Sequence, residues 1–389
     1  MWAAFGAVAL VATGALEPKD ALSALGAGGD VYLFLFGMMV LAEIARRAGL
    51  FEWLAGHAVA RADGSSQRLL ALVYGVGVAV TVFLSNDATA IVLTPAVAAA
   101  VARAKAVPLP YLYACAFVAN AASFVLPISN PANLVVFSSA TPPLVRWLAA
   151  FALPSLVAIG VTYGLLALGS RTTLRARLEC VEAPAPLGRN GRLAFCGVGL
   201  ASLALAVAST LGWPIGLATC VAAAVVLIVV AMLDRGAVPE VLRGISWSVL
   251  ALVAGLFVLV RGLDASGAVF ALRPAIADLA RWPYAVAAPV TAFAVATISN
   301  LINNLPSGLV AATLLDHAHA NLALRSVTTI GIDLGPNLSV TGSLATLLWL
   351  AALRREGIEV SAATFLRVGC VVMPPALLLA VASLAITIR

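Results

Sequence analysis

The apolar positions of this chain gather into long runs, at 2–16, 30–45, 68–103, 110–140, 145–168, 193–209, 212–233, 246–261, 283–320, 322–353 and 365–388. Such runs predict membrane-crossing helices, since about 20 apolar residues rising 1.5 Å each match the hydrocarbon thickness of a bilayer. Four runs are too long or internally interrupted. A helix over 68–103 would measure about 54 Å, nearly twice that thickness, so the chain has to turn back within it. Its one polar cluster is Ser85-Asn86-Asp87 with Thr89 just after, residue types that end one helix and cap the next. A re-entrant helical hairpin with a polar tip is predicted there. The run at 283–320 repeats the picture, with Ser299-Asn300 followed by Asn303-Asn304-Leu305-Pro306-Ser307.

Two other runs are broken rather than folded back. The first, 110–140, contains Pro127-Ile128-Ser129-Asn130-Pro131-Ala132-Asn133. The second, 322–353, contains Asp333-Leu334-Gly335-Pro336-Asn337, then Ser339, Thr341, Gly342 and Ser343. Neither pattern lets a helix continue. Irregular backbone at membrane depth survives only where protein or a watery cavity surrounds it, so four interruptions predict one shared cavity.

The order of elements repeats. Each half shows spanning runs, an amphipathic arm (from about Arg46 to Arg61, and Asp264 to Arg281), a hairpin, a broken helix and a final span. An offset of 218 places Gly37 on Gly255 and Gly49 on Gly267, and one of 217 places Asn86-Asp87 on Asn303-Asn304. The predicted organisation is a first repeat at 1–169, an Arg-rich cytoplasmic linker at 170–192 and a second repeat at 193–389. With an odd number of crossings per complete half, the repeats are inverted, as in many secondary transporters. The second half has one helix more at its start, so the first appears one helix short.

Composition sharpens the assignment. The 389 residues are 62% hydrophobic and only 10% charged, with a mean hydropathy of +1.06. Soluble domains carry about 25% charged residues, so a water-soluble globule, a disordered chain and a nucleic-acid binder are all excluded. The runs do not alternate as the strands of an outer-membrane barrel would. The fold class is therefore an all-α polytopic membrane protein in the lipid bilayer of the inner (plasma) membrane. With residue 1 inside, only Lys19, Arg146, Arg261, Arg273, Arg281, Arg325 and Arg389 of the 23 basic residues fall outside; Arg235 is among the inner ones. Trp2–Leu16 lacks the basic flank of a secretory signal and reads as a retained helix. The five Cys are scattered without ligand spacing and read as apolar filler, and no His has a metal-ligand partner on its helix face. No cofactor or resident metal is called for.

Carboxylates at membrane depth are costly unless partnered or used. Asp87, at the first hairpin tip, and Asp333, in the second broken helix, are the two best placed, and they are candidates to exchange protons during transport. The plain alternative is that Asp87 caps a helix and Asp333 ends one. Around them Ser85, Asn86, Thr89, Ser129, Asn130, Asn133, Asn303, Asn304, Ser307, Asn337, Thr341 and Ser343 offer neutral donors and acceptors, suited to a small, hydroxylated, uncharged solute. Simple interhelical hydrogen bonding is the bland reading of the same set, and the one preferred for Asn120 and Thr94. Glu43, just before Arg46 and Arg47, reads as a salt-bridged interfacial acid.

The segments FLSNDATAIVLTPAV (83–97), ANAASFVLPISNPANLVVF (119–137), NNLPSGLV (303–310) and GIDLGPNLSVTGSLATLLWL (331–350) resemble the arsenite efflux permeases, the ArsB family of the ion transporter superfamily. The resemblance runs through nearly the whole chain. It implies extrusion of arsenite or antimonite as neutral trihydroxides, in exchange for protons or with a partner soluble ATPase. In the family the Gly-Pro break is often followed by Lys where Asn337 stands here, and the family usually begins one helix earlier. Alternatives within the superfamily are a Na+/H+ exchanger using the same acids, or a carboxylate carrier, which would want a cation that the breaks do not supply. An enzyme reading, an intramembrane aspartyl protease, would draw on the two Asp and Pro375-Ala376-Leu377. Its Tyr-Asp and Gly-x-Gly-Asp pair is replaced here by Ser-Asn-Asp and Gly-Ile-Asp.

Overall fold

The computed structural model of the chain describes residues 2–138, 141–234, 236–279 and 281–388; Arg235 and Arg389 lie outside them, as does the end of the 110–140 run. The first half runs through α1 (Trp2–Ala12), α2 (Pro18–Ala27), α3 (Gly29–Arg47) and the arm α4 (Leu50–Ala62). The first hairpin follows: α5 (Ser66–Phe83), a tip, α6 (Asn86–Ala88), a π-turn (Thr89–Leu93) and α7 (Thr94–Arg103). The broken helix is α8 (Leu109–Ala121), a 3-10 turn (Pro127–Ser129) and α9 (Pro131–Val136), and α10 (Leu144–Gly169) closes the half. The second half comprises α11 (Arg189–Leu211), α12 (Ile215–Leu233), α13 (Ala237–Gly244), α14 (Trp247–Ala265) and the arm α15 (Arg273–Leu279). Then come the hairpin α16 (Tyr284–Ile302) and α17 (Asn304–His317), the broken helix α18 (Leu322–Leu334), a 3-10 turn (Gly335–Leu338) and α19 (Leu344–Arg355), and finally α20 (Ala362–Thr387).

The all-helical, polytopic fold agrees with the sequence reading. Among the described residues seven helices are long and apolar enough to cross a membrane, α5, α10, α11, α12, α14, α16 and α20. Helix α3, from the run at 30–45, joins them only together with α2, and the run at 2–16 falls short outright. Its helix has 11 residues, about 16 Å, because the chain turns at Thr13-Gly14, where Gly14 takes φ +73°. Two short helices escaped the pattern: α2, bent 48° from α3, and the surface helix α13.

The repeat is clearer in the helix boundaries than in the residues. Helices α3 and α14 have 19 residues each and start 218 apart; α10 and α20 have 26 each and also start 218 apart. The hairpins begin at Ser66 and Tyr284, and their second limbs are capped by Ser85 and Asn303, again 218 apart. Asn86 therefore corresponds to Asn304, one position from the register that matching residue types suggested. Through the broken helices the offset becomes 213, relating α8 to α18 and the caps Asn130 and Ser343.

Paired helices pack across the repeat: α10 lies along α20, α12 along α3, and α1 along α14. Gly37 and Gly255 make the last two contacts possible. A Cβ built on Gly37 would stand 2.9 Å from the Thr219 carbonyl, and one on Gly255 would stand 2.7 Å from that of Ala3. The hairpins open at opposite ends. The base of the first meets the linker, where the Ser66 hydroxyl donates to Ala176 O, Leu178 N to Gly64 O (2.9 Å) and Glu179 N to Ala104 O (3.2 Å), with Pro184 packed over Gly56. The base of the second meets the far end of α14 through His317 and Asp264 (2.8 Å).

Gly37→Ala and Gly255→Ala are each expected to destabilise the protein by about 1–3 kcal/mol through backbone overpacking. Gly75→Ala, inside α5 with nothing within 4 Å, is expected to raise stability by about 0.4–1 kcal/mol. Thermal unfolding in detergent checks all three; equal melting temperatures across the set would refute the close-approach assignment.

Candidate transport site

Each broken helix satisfies the other. Near the end of α8, Asn120 donates from Nδ2 to Asn337 Oδ1 (3.0 Å), and Asn337 donates back to Phe117 O (3.1 Å). Asn130 caps α9 by accepting from Ala132 N (3.0 Å), and its Nδ2 donates to Asp333 Oδ1 (2.8 Å), at the end of α18. The Ser123 hydroxyl donates to Asn120 O (2.8 Å) and stands beside the same carboxyl. Asp333, Asn120 and Asn337 are fully buried. Buried amides bonded across the two halves in this way hold the crossing geometry, with Asn120 Oδ1 left without a partner. With α8 and α18 each 13 residues long, about 20 Å, neither crosses the hydrocarbon by itself, so the crossing falls inside the span.

Both hairpin tips reach this crossing. At the first, Ser85 Oγ accepts from Ala88 N (3.2 Å) and Asn86 Oδ1 from Asp87 N (2.9 Å), starting α6. The π-turn that follows is held by Thr94 Oγ1 on Thr89 O (3.1 Å) and by the Thr81 and Thr89 hydroxyls (2.8 Å). Such turns concentrate at functional sites. At the second tip Asn303 has φ +79° and ψ 153°, backbone that is essentially reserved for glycine and costs about 1–3 kcal/mol. The strain is held by Asn303 Nδ2 donating to Thr341 O (3.2 Å) and Asn304 N donating to Gly342 O (2.8 Å).

A cavity of about 20 Å³ sits where the four interruptions meet, lined by Asn86, Asp87, Asn130, Pro131, Asn304, Leu305, Leu344 and Ala345 with Leu35, Val249 and Val253. It holds about one water molecule. Beside it a vestibule of about 540 Å³ runs from Ser85, Asp87 and Pro131 to Glu43, Arg46, Glu52, Arg355 and Glu356 at the linker end. Glu43 is buried and takes both Arg46 Nε (2.7 Å) and Nη2 (2.5 Å), which neutralises that cation. Asp87 faces both spaces; Asp333 lines neither.

The other expected residues surround the crossing rather than line the small cavity. Thr89 and Ser307 bond within their own hairpins, Ser307 Oγ donating to Asn303 O (2.8 Å). Ser129 donates to Val82 O (3.2 Å) and Asn133 to Ser123 O (2.8 Å), both steadying the first break. Ser343 caps α19 and bonds Thr346 (2.8 Å), while Thr341, exposed, donates to Asn300 O (3.0 Å). Ser123, Thr346 and Asn300 carry weight that the sequence did not reveal. Asn300 donates to Gly335 O (2.9 Å) and accepts from Ser339 (2.6 Å), joining the second hairpin to the second break. The one signal for it was its place in Ser299-Asn300, just ahead of the tip.

Interrupted helix pairs around a shared cavity are the architecture of a membrane transporter. The chain belongs to the citrate transporter family, whose model, CitMHS, matches residues 1–332. It is also similar to the arsenical pump membrane protein of Escherichia coli K12, 27% identical over 402 residues covering 99% of this chain and 93% of the relative. The arsenical pump membrane protein of Yersinia enterocolitica is 28% identical, covering 90% and 84%. An uncharacterized transporter of Mycobacterium tuberculosis is 27% identical, covering 96% and 90%. In fold it resembles the Alcanivorax borkumensis YdaH transporter, described as having an unusual topology, with a TM-score of 0.58 at 16% identity over 95% of this chain and 86% of that one. The protein is a multi-pass transporter of the inner membrane.

Asn303→Gly is expected to be more stable than Asn303→Ala by about 1–3 kcal/mol, because both lose the bond to Thr341 while only glycine releases the backbone. Unfolding of the two variants in detergent, compared directly, tests whether the second tip is strained.

Proposed function

We propose that the chain exports arsenite and antimonite as neutral trihydroxides, by proton antiport and alternating access between the inverted repeats at 1–169 and 193–389. The observation that carries this reading is the crossing itself: four interruptions converge on amides, and the residues lining the small cavity include one carboxylate, Asp87, and no Lys or Arg. An uncharged solute bearing hydroxyl groups finds donors and acceptors there without a counter-ion. Citrate, named in the family's description, would bring carboxylates to Asp87 with no cation to receive them. The names of the arsenical pump relatives support the same cargo. Ser85, Asn86, Asn130 and Asn304 are the first contacts in this reading; Thr89, Ser129, Asn133, Asn303, Ser307, Asn337, Thr341 and Ser343 hold them in place.

Asp87 and Asp333 are the coupling acids of this reading. Asp87 faces the vestibule and exchanges protons with the linker side, taken as cytoplasmic from the excess of Arg there. Asp333 sits behind Asn130, so its charge is felt by the cap that lines the cavity. The vestibule also carries Glu43, Glu52 and Glu356 against Arg46 and Arg355, an acidic excess that disfavours anionic cargo. A soluble ATPase docking on the Arg-rich linker is the remaining option for energising export.

Everted vesicles with an acid interior are expected to accumulate arsenite but not citrate. Asp87→Asn and Asp333→Asn are each expected to abolish the acid-driven component. Normal driven uptake in both variants would sink the proton assignment, and citrate accumulation would sink the cargo.

A further inference from the structure

The vestibule ends on Asp87 and does not include Asp333, so a second coupling acid needs a route of its own. One face of α18 offers it. Ser326 precedes Asp333 by seven residues, two turns or about 10 Å nearer the open end of the second hairpin and almost directly in line around the helix. Both residues are fully buried, and each has an oxygen without a hydrogen-bond partner, Ser326 Oγ and Asp333 Oδ2. Thr329 and Thr313, by contrast, return their hydroxyls to the carbonyl four residues back (2.9 and 3.0 Å), the usual resort of a hydroxyl in an apolar helix. The Ser123 hydroxyl stands beside Asp333 and within 2.8 Å of Asn120 O, so its single hydrogen is shared between the two acceptors.

Helix α9 packs against α18 and is fastened to it at both ends, by Asn130 on Asp333 and by Arg325 Nη1 on Val136 O (3.1 Å). Arg325 is ion-paired with Asp316, whose side chain is 41% exposed at the end opposite the linker. The charged groups along the stripe are thus Asp333 at the crossing and the Arg325–Asp316 pair at the mouth.

We propose that Ser326, with water ordered between it and Asp333, forms the outer proton route of the transporter, entered at Asp316; this rests on reading Asp333 as a coupling acid. Two orphaned oxygens on one buried stripe call for water that gives each a partner. A serine hydroxyl accepts one hydrogen bond while donating another, so it passes a proton on as it takes one up and ends unchanged. Pairing with Asp316 offsets the Arg325 charge, which would otherwise repel an entering proton.

The test uses the full chain in proteoliposomes and two fluxes of radiolabelled arsenite. Acid-driven uptake requires net proton movement, whereas arsenite exchange without a pH gradient does not. Ser326→Ala is expected to slow driven uptake at least fivefold while exchange persists, and Ser326→Thr is expected to restore it. Ser155→Ala, removing another buried unpartnered hydroxyl on α10, controls for packing and is expected to leave both fluxes as they were. Driven uptake unchanged in Ser326→Ala, while Asp333→Asn lacks it, overturns the route and leaves the coupling reading standing. Equal loss of both fluxes in Ser326→Ala makes the serine a packing residue and likewise overturns the route. Driven uptake that survives Asp333→Asn overturns the coupling reading itself.

Discussion

The structure depends on one constraint: a peptide group left unpaired in hydrocarbon costs several kcal/mol, and this chain interrupts its helices four times at membrane depth. The breaks are repaired partly within each half, as Ser129 and Asn133 do for the first, and partly across the halves. Asn120 reaches from the first broken helix to Asn337 of the second, and Asn130 reaches to Asp333. Asn300 and Asn303 attach the second hairpin to the loop that follows the Gly-Pro break. The groups that make a polar site possible are therefore the same groups that keep the backbone satisfied, and losing one partner exposes the other. In the proposed reading, folding and solute handling draw on one set of bonds.

The two halves share a plan but not a charge distribution. By the 218 offset the counterpart of Asp87 is Leu305; by the 213 offset the counterpart of Asp333 is Asn120. Each acid is thus opposed by a neutral residue, one acid at a hairpin tip and the other inside a broken helix. The irregularities are also unequal: the first hairpin carries a π-turn, the second a strained Asn303. Inverted geometry with unequal chemistry lets the two sides of the membrane be treated differently by a fold that is nearly its own mirror in topology.

Much of this was readable from the chain, for identifiable reasons. Run length forced the turn near Ser85, and Pro127, Pro131 and Gly335-Pro336 forced the breaks, because these are local steric facts. The convergence of the interruptions followed from solvation alone. What stayed hidden depends on contacts across the fold. Ser123 and Thr346 make local bonds and come beside Asp333 and Asn120 only where the broken helices cross, and Asn300 finds Gly335 and Ser339 only where the second hairpin meets the Gly-Pro turn. Asn120 was legible as a hydrogen bonder but not as the partner of Asn337, 217 residues away. The shortness of α1 was missed because Gly14 ends a run whose apolar character continues to Leu16.

The linker has a further implication for how far the halves can travel. Its backbone is pinned at Ala176, Leu178 and Glu179, and Pro184 is seated on Gly56, before α11 starts at Arg189. Five peptide links then separate the last anchor from that helix, a leash of about 17 Å when drawn taut. Any excursion of α11 relative to the base of the first hairpin has that ceiling unless the anchors peel away. The connection between the halves is thus a short tether, which gives the proposed alternating motion an upper bound.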